Sequence, residues 1–148
     1  MAASKVDIAF SELMPLIPVP WSIRELVNGF AEVRGRPIIM RARSLPPLVH
    51  ALLVVRPDQD VIFFDVLDNL ERSELQILHE IGHLAMHHSL LTETTLDTES
   101  GQGVGGCPYP LEQQAEADLL AATLITAVRS QPQYETATEL GRLTSTLL

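Results

Sequence analysis

Apolar residues recur along this chain at two different periods, and the places where the period changes divide it into elements. Pro15, Pro18 and Pro20 interrupt the first apolar stretch, so a helix near Phe10 to Met14 has to stop there. Ile23, Leu26, Val27 and Phe30 then fall on one helical face, with a capping box at Ser22 and Glu25 ahead of them and Gly35 ending the run. Residues 36–41 (RPIIMR), 50–55 (HALLVV) and 61–64 (VIFF) are short, branched and apolar, and read as strands. Pro46 and Pro47 separate the first two. The turn-forming residues 56–60 (RPDQD) make the last two an antiparallel hairpin, so a small, mostly antiparallel sheet is expected.

Helical spacing returns at 71–88, where Leu75, Leu78, Ile81, Leu84 and Ala85 form one broad stripe and Ser73 with Gln76 suits the start. Residues 92–110 are rich in Thr, Gly and acidic side chains and read as a surface loop. An Ala- and Leu-rich helix is expected over 111–128, and a shorter one between Tyr134 and Leu147. No repeat and no second hydrophobic unit interrupts this order. The fold class is α+β, one domain over 1–148 with its core at about 21–128.

Composition narrows the function. The chain has 148 residues, 46% hydrophobic and 20% charged, which suits one globular core. Its formal charge of −9 repels a phosphate backbone, and the basic residues between Arg24 and Arg72 are too loosely gathered to favour direct nucleic-acid binding. The start, MAASKVDIAF, lacks the apolar core of a signal peptide, and no segment approaches the ~20 apolar residues needed to span a bilayer. With a single cysteine, Cys107, unable to form an internal disulfide, a cytoplasmic protein is expected.

The chemistry lies in His79-Glu80-Ile81-Gly82-His83, an H-E-x-x-H motif on the fourth-position spacing of a helix. Residues i and i+4 project from one helical face, so both imidazoles can bind one Zn²⁺. Glu80, turned about 100° from His79, faces the open side of the metal. There it can take a proton from a zinc-bound water, acting as catalytic base for attack on a carbonyl. A structural helix that shows the motif by coincidence is the competing explanation. The motif's place in mid-helix, after a hairpin and before a carboxylate-bearing helix, favours the metal.

A zinc hydrolase needs a third protein donor. Glu112 and Glu116, four apart on the downstream helix, share a face, so one can bind zinc while the other orients a ligand histidine; Glu112 is preferred as ligand, with Glu116 as its alternative. A solvated acidic first turn explains the same pair without a metal. His87 continues the stripe of His83 while His88 is turned away. Either can support a ligand histidine or face the substrate, although an exposed helix end near the negative pole of the dipole suits both better. His50 is read as a strand residue and Cys107 as a free thiol.

These features together resemble the ImmA/IrrE family of small bacterial zinc metallopeptidases. The resemblance runs from about Trp21 to Val128 and rests on the helix ending in Arg34-Gly35-Arg36-Pro37, the hairpin ending in Val61-Ile62-Phe63-Phe64, the run HEIGHLAMH and the acidic, Ala-rich helix. It implies a minimal zincin-like domain, gluzincin-like in placing two histidines and a downstream glutamate on zinc. It also implies an endopeptidase that cleaves a helix-turn-helix repressor or similar DNA-binding regulator. The family's downstream pattern, E-x-x-A-(N/D/E) followed by F-A-A, fits in two registers. Matching Ala117-Asp118 and Ala121-Ala122 puts Gln114 at the ligand position; matching 112–116 keeps Glu112 there. The alternative function is a catalytically weak or inactive zinc-binding module that regulates a partner protein by binding it.

Overall fold

The computed structural model describes residues 3–47, 49, 51–66, 69–88 and 109–131. His50, Cys107, nearly all of the 92–110 loop and the helix expected near 134–147 lie outside the described residues.

Two serine caps start the chain's first helices. Ser4 accepts a hydrogen bond from the Asp7 amide, and the Asp7 carboxylate accepts one from the Ser4 amide, which starts α1 at Lys5–Leu13. A 3₁₀ turn over Met14–Leu16, with Pro15 in it, ends that helix where the prolines require. Ser22 likewise caps α2, Ile23–Arg34, by accepting from the Glu25 amide, and Gly35 closes it with φ 69°, a left-handed conformation that glycine adopts without steric cost.

Three strands follow: β1 (Ile38–Arg43), β2 (Ala51–Val55) and β3 (Asp60–Asp65). The turn after β2, closed by the Arg56 amide on the Gln59 carbonyl at 2.9 Å, makes β2 and β3 the expected antiparallel pair. β1, however, lies on the other side of β3 and runs parallel to it, giving the order β1-β3-β2 and a mixed sheet rather than a mostly antiparallel one. The cause is Asp60, fully buried at the start of β3. Its carboxylate meets Arg34 at 2.8 Å and Arg36 at 3.1 Å, and its amide donates to the Pro37 carbonyl at 3.0 Å. Arg36 also donates to the carbonyls of Arg56, Pro57 and Gln59. The end of α2 and the start of β1 are thereby fixed to the start of β3, so the two strands must set out together.

Helix α3 spans Leu70–Ala85 and is capped by Asn69, whose side chain accepts from the Arg72 amide at 2.8 Å. Ser73, expected as the cap, is instead buried inside the first turn. Helix α4 runs over Leu111–Arg129 and buries Ala117, Leu120, Ala121, Leu124, Ile125 and Val128. These residues join α1, α2, α3 and the Ile62 face of the sheet in the main core, while Leu52, Val54, Val61 and Phe63 pack on the opposite face. Gly82 faces α4 where the two helices pack: a Cβ there would lie 3.5 Å from Ala117 Cα and 3.4 Å from Leu120 Cδ2, in ordinary contact. Among the described residues no helix is long and apolar enough to cross a membrane.

Candidate metal centre

His79, Glu80 and His83 sit in the C-terminal half of α3, all buried. The i, i+4 spacing brings the two imidazoles together edge to face, with Nε2 of His79 3.1 Å from Nε2 of His83. Each ring is held by its other nitrogen. His79 Nδ1 lies 2.7 Å from Asp118 Oδ1 on α4, and His83 Nδ1 lies 2.8 Å from Nδ1 of His88. His88 Nε2 in turn lies 3.1 Å from Glu116 Oε1. Tyr109, just before α4, stacks on His83 with ring centres 3.7 Å apart, and the Gln114 side chain donates to the Tyr109 carbonyl at 2.8 Å.

His87 and His88 exchange the places that helical spacing gives them. The helix ends at Ala85, His87 takes φ 56° and points to solvent, and His88 folds back as a buried residue. Of the acidic residues on α4, Glu112 is exposed, Glu116 engages His88 and Asp118 engages His79. Among the described residues no third His, Cys, Asp or Glu joins the histidine pair to form a metal-holding group.

Burial governs the charges here. It pushes the Glu80 carboxyl up to about 8, because no nearby charge offsets its loss of water. Burial also pushes His83 down to about 3, assisted by the nearness of His79 and His88. His79 is lowered by burial too, with Asp118 opposing. The two histidines are therefore neutral bases at pH 7, the form that binds metals.

The donor geometry fits a metal. Two nitrogens at about 2.0–2.1 Å from one tetrahedral zinc stand roughly 3.3 Å apart, close to the separation of the Nε2 atoms. A carboxylate behind His79 is the partner a metal-bound imidazole ordinarily has. Asp118 and Tyr109 are the residues that reading the sequence missed as parts of the site, and His88, open there as a supporting group, was better suited to an exposed helix end. Asp118 had a signal in the Ala117-Asp118 register, whereas nothing in the local pattern marks His88 or Tyr109. No protein-family model matches the chain, and no curated protein sequence matches it.

Proposed function

We propose that this protein is a zinc-dependent endopeptidase whose substrate is a protein regulator, such as a helix-turn-helix repressor. One observation carries the reading: the Nε2 atoms of two neutral histidines converge at 3.1 Å while both Nδ1 atoms are occupied from behind. His79 and His83 hold the metal through Nε2. Zinc bound there supplies a Lewis acid that polarises a scissile carbonyl and acidifies water. The buried Glu80 carboxyl, whose ionised form a bound cation would favour, would then take the proton of the attacking water and return it to the leaving amine. Glu112, the α4 carboxylate without an imidazole partner, is the side chain for the third position and has to turn in from solvent to reach it. The regulator as substrate rests on the resemblance alone.

The lack of a third donor among the described residues favours a second reading, a zinc-binding module that acts by binding its partner. Two measurements separate them. Zinc per chain, for wild type, Glu112→Ala and Gln114→Ala, reports the ligands. Cleavage of a partner by wild type and Glu80→Gln reports the chemistry: a Glu80→Gln protein that keeps its zinc and its cleavage rate removes the peptidase mechanism.

A further inference from the structure

His88 reaches its buried position through an unusual helix end. Its amide donates to the His83 carbonyl at 3.0 Å, across a left-handed residue at 87, in the arrangement that commonly terminates helices with glycine. Here the left-handed residue is a histidine, at a cost of roughly 1–2 kcal/mol relative to its preferred conformation. The strained turn delivers His88 to His83 on one side and Glu116 on the other. His83 and His88 are almost wholly buried, while the Glu116 side chain keeps 26% exposure.

We propose that Glu116, acting through His88, is a positioning residue that fixes which nitrogen of His83 carries hydrogen, and so presents His83 Nε2 to the metal as a bare lone pair. The inference rests on the zinc reading above. An ionised carboxylate only accepts hydrogen bonds, so Glu116 requires the hydrogen of His88 to sit on Nε2. A neutral imidazole carries one such hydrogen, which leaves His88 Nδ1 an acceptor. His83 must then donate from Nδ1 across the 2.8 Å contact, and its Nε2 is left without hydrogen. The opposite tautomer would aim an N–H at His79 Nε2 and close the metal position. His79 receives the same instruction directly from Asp118, so each histidine answers to its own carboxylate, one at first remove and one at second.

The test uses the full chain, metal-free and isotope-labelled at the histidine ring nitrogens, at about pH 8, where histidine at its ordinary value is neutral. Nuclear magnetic resonance of those nitrogens is expected to show hydrogen on Nδ1 of His83 and on Nε2 of His88. In Glu116→Gln the nearly isosteric amide both donates and accepts, so both rings become tautomer mixtures, and zinc affinity by chelator competition falls roughly 10–100-fold. His88→Gln, whose carbonyl can still accept from His83 while its amide donates to Glu116, keeps the His83 tautomer and most of the affinity. His88→Leu loses both. Hydrogen on Nε2 of His83 in the wild type overturns the relay, as do unchanged tautomers in Glu116→Gln. If those unchanged tautomers accompany loss of zinc, Glu116 is itself a ligand. A wild type that takes up no zinc removes the hydrolase reading, while the tautomers of the metal-free protein still decide the relay.

Discussion

Nε2 of His79 faces Nε2 of His83 at 3.1 Å, and neither ring is free to turn away, because Asp118 holds one from behind and His88 the other. With hydrogen on both Nδ1 atoms, two lone pairs confront each other in a buried space. Such a pair repels unless a proton or a metal cation stands between them, and on the zinc reading proposed above relief of that repulsion would add to metal affinity.

Asp118 provides the first prediction. Its side chain is 72% exposed, so the contact with His79 contributes little to folding, about 0–1 kcal/mol as for exposed ion pairs in general. On the zinc reading proposed above its effect on the metal is larger, since it would set the tautomer and orientation of a ligand ring. Asp118→Ala is expected to weaken zinc binding roughly 10–100-fold with little change in melting temperature. Chelator competition and a thermal melt on the same samples check this, and wild-type affinity in the variant would mean that Asp118 does not orient His79.

Glu80 makes the stability of the metal-free protein depend on pH. Its carboxyl has an ordinary value of 4.5 and lies at about 8 in the fold, so the folded state holds an extra proton between those values. The stability this contributes is complete below pH 4.5 and is lost as pH rises through about 8. His83 has the opposite sign: it falls from 6.5 to about 3, so stability is lost as pH drops through that interval. Above 6.5 the opposing His83 slope is spent and Glu80 contributes up to about 1.4 kcal/mol per pH unit. Urea midpoints of metal-free wild type should fall between pH 6.5 and 8, while those of Glu80→Gln stay nearly level. Parallel curves for the two proteins would show that Glu80 is ionised in the metal-free fold.

Local signals in the sequence account for α2 from Ser22 to Gly35, the β2–β3 hairpin and the pairing of His79 with His83. Each depends on neighbours within a few residues. The parts that escaped depend on tertiary contacts. β1 joins β3 in parallel because Asp60 binds Arg34 and Arg36, a relation between residues over twenty positions apart. Asp118 reaches His79, thirty-nine positions away in the chain, only because α4 packs against α3. His88 was misplaced because extending helical spacing past Ala85 assigns it the wrong side, and a left-handed histidine carries no glycine-like mark. Ser4 and Asp7 did carry a capping signal for α1, overlooked beside the prolines that follow.

The Asp60 cluster is the second place where burial and charge meet. Replacing both cations, in Arg34→Met/Arg36→Met, leaves a wholly buried carboxylate without a cation and is expected to cost about 3–5 kcal/mol. Adding Asp60→Leu to that pair removes the stranded group, so the triple variant should recover part of the loss, since apolar replacement of a buried ion cluster is often tolerated. Denaturant unfolding of the double and triple variants decides it. A triple variant less stable than the double would mean that the carboxylate holds β1 on β3 by some contact other than the two arginines.

Gly82 tests whether the metal site depends on the distance between its helices. An added Cβ meets Leu120 and Ala117 at 3.4–3.5 Å, ordinary contact distances, so Gly82→Ala fits without displacement. Alanine also favours the helix, and the variant should be more stable by about 0.5–1 kcal/mol with zinc affinity unchanged. A longer side chain has no such room, because Leu120 Cδ2 and the Ala117 backbone already stand at contact distance from that Cβ, and the backbone cannot turn aside. Gly82→Leu must push α4 outward, costing about 1–3 kcal/mol as overpacked cores do. That movement carries Asp118 and Glu116 away from His79 and His88, so zinc affinity should fall further than stability alone explains. Comparing affinity across Gly82→Ala, Gly82→Leu and a core variant of matched stability remote from α4 isolates the effect. Equal affinity in Gly82→Leu and the matched control would mean that the histidines hold the metal without help from α4.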